Sequence, residues 1–151
     1  MAKAPRYDRL HADLDTSLAA GIVIEALVRE VMHATPAVLR GDDTRAVHDM
    51  RVSIRRLRSA LATFSASIAP KRLESMRRSA RRIGRKLGPV RDADVHLASL
   101  RVALAGAPSL DRAGIAFAIE MLTVARSTAL AAFAIELSQF DRDLFPGAND
   151  A

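Results

Sequence analysis

Between Arg45 and Leu87 the chain sorts apolar and basic residues at the spacing of an α-helix, twice in succession, with Pro70 between the two runs. In the first run Met50, Ile54, Leu57, Leu61, Phe64 and Ile68 fall on one stripe when each residue is turned by roughly 100°. His48, Arg51, Arg55 and Arg58 follow at intervals of three, four and three and form a neighbouring strip rather than a ring. In the second run Leu73, Met76, Ala80, Ile83 and Leu87 make the apolar side. Lys71, Ser75, Arg78, Arg82 and Arg85 lie opposite, and Arg77, Arg81 and Lys86 widen that basic sector. The pattern predicts two amphipathic helices, over about 45–68 and 71–87, packed antiparallel across a short turn so that their arginine ladders approach a common groove.

Charge follows the same segmentation. Residues 45–91 hold fourteen lysines or arginines against two acids, Asp49 and Glu74, so a net +6 divides into +12 in the middle and −6 in the flanks. Each like-charge i,i+4 pair costs roughly 0.2 to 0.5 kcal/mol in an isolated helix. A ladder without intervening acids therefore points to a bound counter-charge, a polyanion. Only Lys3, Lys71 and Lys86 among the 23 basic residues are lysine. A planar guanidinium offers paired N–H donors to two phosphate oxygens, which an ammonium cannot, although an arginine-biased genome would give the same composition.

The remaining segments read as helical core. A helix is expected from about Leu14 to Met32, with Leu14, Leu18, Ile22, Leu27 and Val31 buried, ending in a break at Pro36 and Gly41 to Thr44. Thr44 or a neighbouring aspartate would cap the next helix. Gly88-Pro89 is expected to stop the third helix and start a fourth, which runs to about Leu104 and turns Val95, Leu97 or Leu100, and Leu104 inward. Asp92 and Asp94 would then cap that helix or pair with arginines. After Gly106-Ala107-Pro108 a fifth helix, about Leu110 to Leu144, is apolar on more than one face. Ile115, Ile119, Leu122 and Phe133 mark one side, while Phe117, Met121, Val124 and Leu130 lie elsewhere. One small bundle rarely covers such a helix, so a twofold homodimer through it is expected.

The expected fold is all-α: an antiparallel bundle of four to five helices over residues 13–145, with a flexible segment over 1–12 and a tail over 146–151. The chain has no cysteine, which excludes a disulfide framework, a thiolate metal site and a cysteine nucleophile. The opening residues lack the apolar core of a signal peptide, and Leu18 to Val28, read as the most apolar stretch, is too short to span a membrane and contains Glu25. A soluble cytoplasmic protein without a membrane partner is expected.

The string Val47-His48-Asp49-Met50-Arg51-Val52-Ser53-Ile54-Arg55-Arg56-Leu57-Arg58 and the later Leu87-Gly88-Pro89-Val90-Arg91-Asp92-Ala93-Asp94-Val95 resemble the CHAD family, the conserved histidine α-helical domain. The resemblance spans about Leu14 to Leu104, and the last helix matches in character only. It implies an all-helical domain that binds inorganic polyphosphate in a basic groove, often at polyphosphate granules. Carried over by motif position, His48, Arg51, Arg55 and Arg58 would line that surface, joined by Arg78, Arg82, Arg85 and Arg91. Complete CHAD domains look like two related halves, whereas no second copy of the motif follows Arg91, so the chain resembles half a domain. Two copies could rebuild the pocket.

His48 could serve as a catalytic base, a phospho-acceptor or a phosphate-binding group, and the sequence around it does not resemble a phosphotransfer motif. His11, His33, His48 and His96 show no metal-ligand spacing, and neither a Gly-rich phosphate loop nor an activated nucleophile is recognisable. Binding without turnover, cofactor or resident metal is therefore the expectation. The alternatives are a nucleic-acid-binding module and a module that binds an acidic protein. Against nucleic acid, Phe64 is the one aromatic on the basic helices and lies on the apolar stripe, and neither ladder carries a base-reading asparagine or glutamine.

Overall fold

The computed structural model describes Tyr7, residues 9–41 and residues 43–144, with side chains to Phe140. Four helices follow one another: α1 Thr16–Arg40, α2 Thr44–Thr63, α3 Pro70–Gly106 and α4 Ser109–Leu144, with a single 3-10 turn at Ser65–Ser67. Each packs on its neighbours in sequence, as short connections require. The flexible segment and tail expected at the ends fall largely outside the described residues.

The α1–α2 connection shows why this chain turns where it does. Gly41 ends α1 in the left-handed region at φ 78°, where its N–H reaches the Val38 carbonyl. A Cβ at Gly41 would be strained by the positive φ and would stand 3.0 Å from Leu130 Cδ2 of α4, a tight contact that Leu130 would have to relieve. Asp43 then caps α2 by accepting from the N–H groups of Arg45 and Ala46.

Two expected helix breaks are absent. Pro36 lies inside α1, and Pro89 lies inside α3, so the expected third and fourth helices are one helix of 37 residues. A proline at a helical φ removes one N–H, and its ring crowds the residue before it through that residue's Cβ. Before Pro89 stands Gly88, which has no Cβ, and Gly88 keeps a negative φ. Packing on α2 and α4 offsets the lost hydrogen bond.

The core joins the four helices around Leu27, Val31, Val47, Met50, Leu57, Leu61, Ile83, Leu87, Phe133 and Phe140, all at 2% exposure or less. The apolar side expected of 71–87 is wholly buried, and on α2 Met50, Ile54, Leu57 and Leu61 are buried while Phe64 and Ile68 are half-buried. Leu18 and Val95, expected inward, are instead exposed, and Leu130 packs against the core rather than on a second face. Two ion pairs fasten α3 to α4: Arg82 Nε to Glu136 Oε1 and Arg126 Nε to Asp94 Oδ1, each 2.6 Å. The expected pairing of Asp94 with an arginine is thus found, but mid-helix rather than at a cap.

α3 and α4 are much longer than α1 and α2, and their hairpin outruns the core: no residue from 98 to 132 is buried. α4 is also the described helix long and apolar enough to cross a membrane by length and composition, with an 18-residue window of mean hydropathy 1.5 within Ser109–Phe140.

Candidate functional site

The α2 ladder faces α3 across a recess of about 630 Å³. From α2 it is lined by His48, Arg51, Val52, Ile54, Arg55, Arg56 and Arg58, and from α3 by Gly84, Arg91, Asp92 and Val95. The volume is within the range of about 300–1,000 Å³ typical of ligand pockets. α3 presents Gly84 and Gly88 to α2 at this level. A Cβ on Gly84 would stand 3.4 Å from Ile54 Cγ2, and one on Gly88 would stand 3.8 Å from Arg51 Nη1.

Five arginines, one histidine and one aspartate thus surround one concavity. Among the described residues, the other cations with a structural task are paired: Arg82 with Glu136, Arg126 with Asp94, Arg9 and Arg29 with Glu25. Arg56 is partly engaged, 4.0 Å from Glu30, whose carboxylate also accepts from Ser53 Oγ. No carboxylate of the described residues forms an ion pair with His48, Arg51, Arg55, Arg58 or Arg91. With Asp92 the one acid in the lining, their mutual repulsion is only partly offset inside a shared hollow, an electrostatic condition that favours an anion with several charges.

The recess gathers five of the eight expected residues and not the other three. His48, Arg51, Arg55, Arg58 and Arg91 come together. Arg78, Arg82 and Arg85 do not line the recess. At 100° per residue the side of α3 facing α2 carries Gly84, Gly88, Arg91 and Val95, and these three arginines are turned roughly 90° to 150° away from it. Arg82 points to α4 and is held there by Glu136, while Arg78 and Arg85 are exposed. The two ladders therefore do not converge as expected; the α2 ladder meets glycines and the Arg91 turn of α3. Val52, Ile54, Arg56, Gly84, Asp92 and Val95 complete the lining; Ile54 and Val95 were expected in the core and Asp92 at a cap, while Gly84 and Gly88 at i,i+4 signal a close helix approach.

Another cavity, of about 300 Å³, is walled by Ala20, Ile24, Val28, Ile68 and Met76 and carries Glu25, which is already paired with Arg9 and Arg29. Arg72 is the one cation of its lining, so no set of cations converges there. No group of three or more His, Cys, Asp or Glu side chains suited to a metal occurs among the described residues.

A model of the CHAD domain matches residues 22–143. The chain belongs to the CHAD family. That match takes in α4, which the sequence motifs alone left as similar in character only. In this CHAD domain the histidine helix is α2, and the L-G-x-V-R-D-x-D-V segment is a continuous stretch of α3. Neither the curated proteins nor the solved structures include a match.

Proposed function

We propose that this CHAD domain binds inorganic polyphosphate, without hydrolysing it, in the recess between α2 and α3. The observation that carries the reading is the gathering of His48, Arg51, Arg55, Arg58 and Arg91 around one hollow with no ion pair among the described residues. Family membership supports it, since CHAD domains are associated with polyphosphate binding. A phosphate chain supplies one negative charge per unit at close spacing, and arginines on successive turns of α2, about 5.4 Å apart along the axis, can each take a separate unit. Arg91 then closes on the polymer from the opposite wall.

The roles follow from chemistry. Arg51, Arg55 and Arg58 are the main donors, His48 extends the donor line toward the start of α2, and Gly84 adds no side chain to the opposite wall. The same proposal places the protein in the cytoplasm, at polyphosphate granules. The competing ligand is duplex nucleic acid, which an arginine groove also attracts in a salt-dependent way. Competition between polyphosphate and duplex DNA at matched phosphate and salt concentration tests the reading. Displacement of DNA by polyphosphate supports it, and preference for DNA, or no polyphosphate binding at low salt, overturns it.

A further inference from the structure

The exposed side of α4 is not a random scatter of apolar residues. Leu110, Gly114, Phe117, Met121, Val124, Thr128, Ala131 and Ile135 succeed one another at alternating steps of four and three, the a/d register of a coiled-coil seam. All eight are exposed, with Leu110 at 91%, Phe117 at 64%, Met121 at 56%, Val124 at 63% and Ile135 at 66%. The opposite side carries Ile119, Leu122, Arg126, Ala129 and Phe133 and is the one turned to α3 and the core. Thr128 Oγ1 donates to the Val124 carbonyl, so this hydroxyl can enter an apolar seam without losing its partner.

The stripe is also its own complement. When a second α4 is laid antiparallel about a twofold axis between Leu122 and Thr123, Leu110 meets Ile135, Gly114 meets Ala131, Phe117 meets Thr128, and Met121 meets Val124. Each is an a-to-d pairing, and Phe117 meets a small residue while the glycine and alanine let the backbones approach at both ends. The flanking positions Ala113, Ala118, Ala125, Ala132 and Ala134 add no bulk, and Glu120 is the one charge beside the seam between Ala113 and Ile135.

From these observations we infer that α4 docks on α4 of a second copy of this chain in antiparallel orientation. The five large side chains alone expose roughly 600 Å² of apolar surface, approaching the 800 Å² or so per partner buried in a standard interface. The stripe runs for about 38 Å at 1.5 Å per residue. The antiparallel arrangement also separates the two strongly basic bodies, which cluster near the Phe133 end of each α4. A lipid bilayer is the less fitting occupant, because α4 is tied by Arg126 and Glu136 to α3, which carries Arg91, Asp92 and Arg101 alongside it.

The experiment uses the whole chain without polyphosphate. Sedimentation at increasing concentration should reach about twice the 16.3 kDa chain mass. Met121→Glu with Val124→Glu should return it to monomer with helicity and urea midpoint of the body retained. The chain has no native cysteine, so orientation is readable by oxidation. Leu110→Cys mixed with Ile135→Cys should cross-link to each other, and neither should cross-link alone. A monomer at all concentrations, self-cross-linking of Leu110→Cys, or insertion into phosphatidylcholine vesicles in place of self-association would each overturn the inference.

Discussion

Arg126 of α4 and Asp94 of α3 form an ion pair with Nε and Oδ1 2.6 Å apart, and the two side chains are only 12% and 1% exposed. The pair sits where the α3–α4 hairpin leaves the core, with Arg126 Nη1 beside Gly41 of the α1–α2 turn. Asp94 belongs to the family motif, yet its place is structural, whereas Arg91 one turn earlier lines the recess. Removing one partner of such a buried pair strands the other. Asp94→Ala should lose about 3 kcal/mol by urea unfolding, and adding Arg126→Met should restore most of it. An unchanged midpoint in the single variant would show that the pair does not support the fold.

Phe133 has no exposed surface and anchors α4 in the core. Phe133→Ala should cost about 3–5 kcal/mol. Calorimetry that finds less than about 1 kcal/mol would mean that α4 is not seated where the core requires it.

Gly41 combines a positive φ with a crowded Cβ position. Gly41→Ala should destabilise by about 1–2 kcal/mol from conformation alone, and more if Leu130 cannot shift. Gly21→Ala, inside α1 with open space around its Cβ, should stabilise by roughly 0.5–1 kcal/mol. A pair of thermal melts in which both variants move the same way would contradict this.

Asp15 caps α1 by accepting from the Ser17 N–H, and those backbone and side-chain hydrogen bonds to Ser17 lower its pKa from the ordinary 3.8. A depressed folded pKa gives stability that is present above the unfolded value and disappears as pH falls through the folded one. The melting difference between wild type and Asp15→Ala should thus be full at neutral pH and close up below pH 3.8. A difference that grows on acidification would contradict the assignment.

Salt should weaken polyphosphate binding along a straight log–log line, as expected for phosphate contacts. Each of Arg51→Gln, Arg55→Gln and Arg91→Gln should reduce the slope by about one unit. A slope near zero would mean that binding is not made of guanidinium–phosphate pairs.

Much of the architecture could be read from periodicity, and the reasons it failed elsewhere are specific. α2 was legible because its apolar stripe and arginine strip are cleanly separated, so Met50, Ile54 and Leu57 could be placed with Arg51 and Arg55 beside them. On α3 both flanks of the apolar side are basic, and a helical wheel cannot say which flank faces α2. Arg78, Arg82 and Arg85, read as lying opposite the apolar side, do not line the recess, whereas Arg91, taken from the family motif, does. Pro36 and Pro89 read as breaks because local propensity ignores the packing that offsets one lost hydrogen bond. The second face of α4 was legible, but its a/d register emerged only when exposure separated it from the side holding Phe133.

The measurement that bears most directly on the proposed function is polyphosphate affinity, by titration calorimetry at low salt, for two charge-matched variants. Arg51→Gln with Arg55→Gln empties the recess of two donors, whereas Arg78→Gln with Arg85→Gln removes two arginines outside it. At roughly 1.5–3 kcal/mol per charged hydrogen-bonding group, the first should weaken binding by a hundredfold or more. The second should weaken it by less than about tenfold, through long-range charge alone. Equal losses in the two variants, or a greater loss in the second, would contradict a site between α2 and α3.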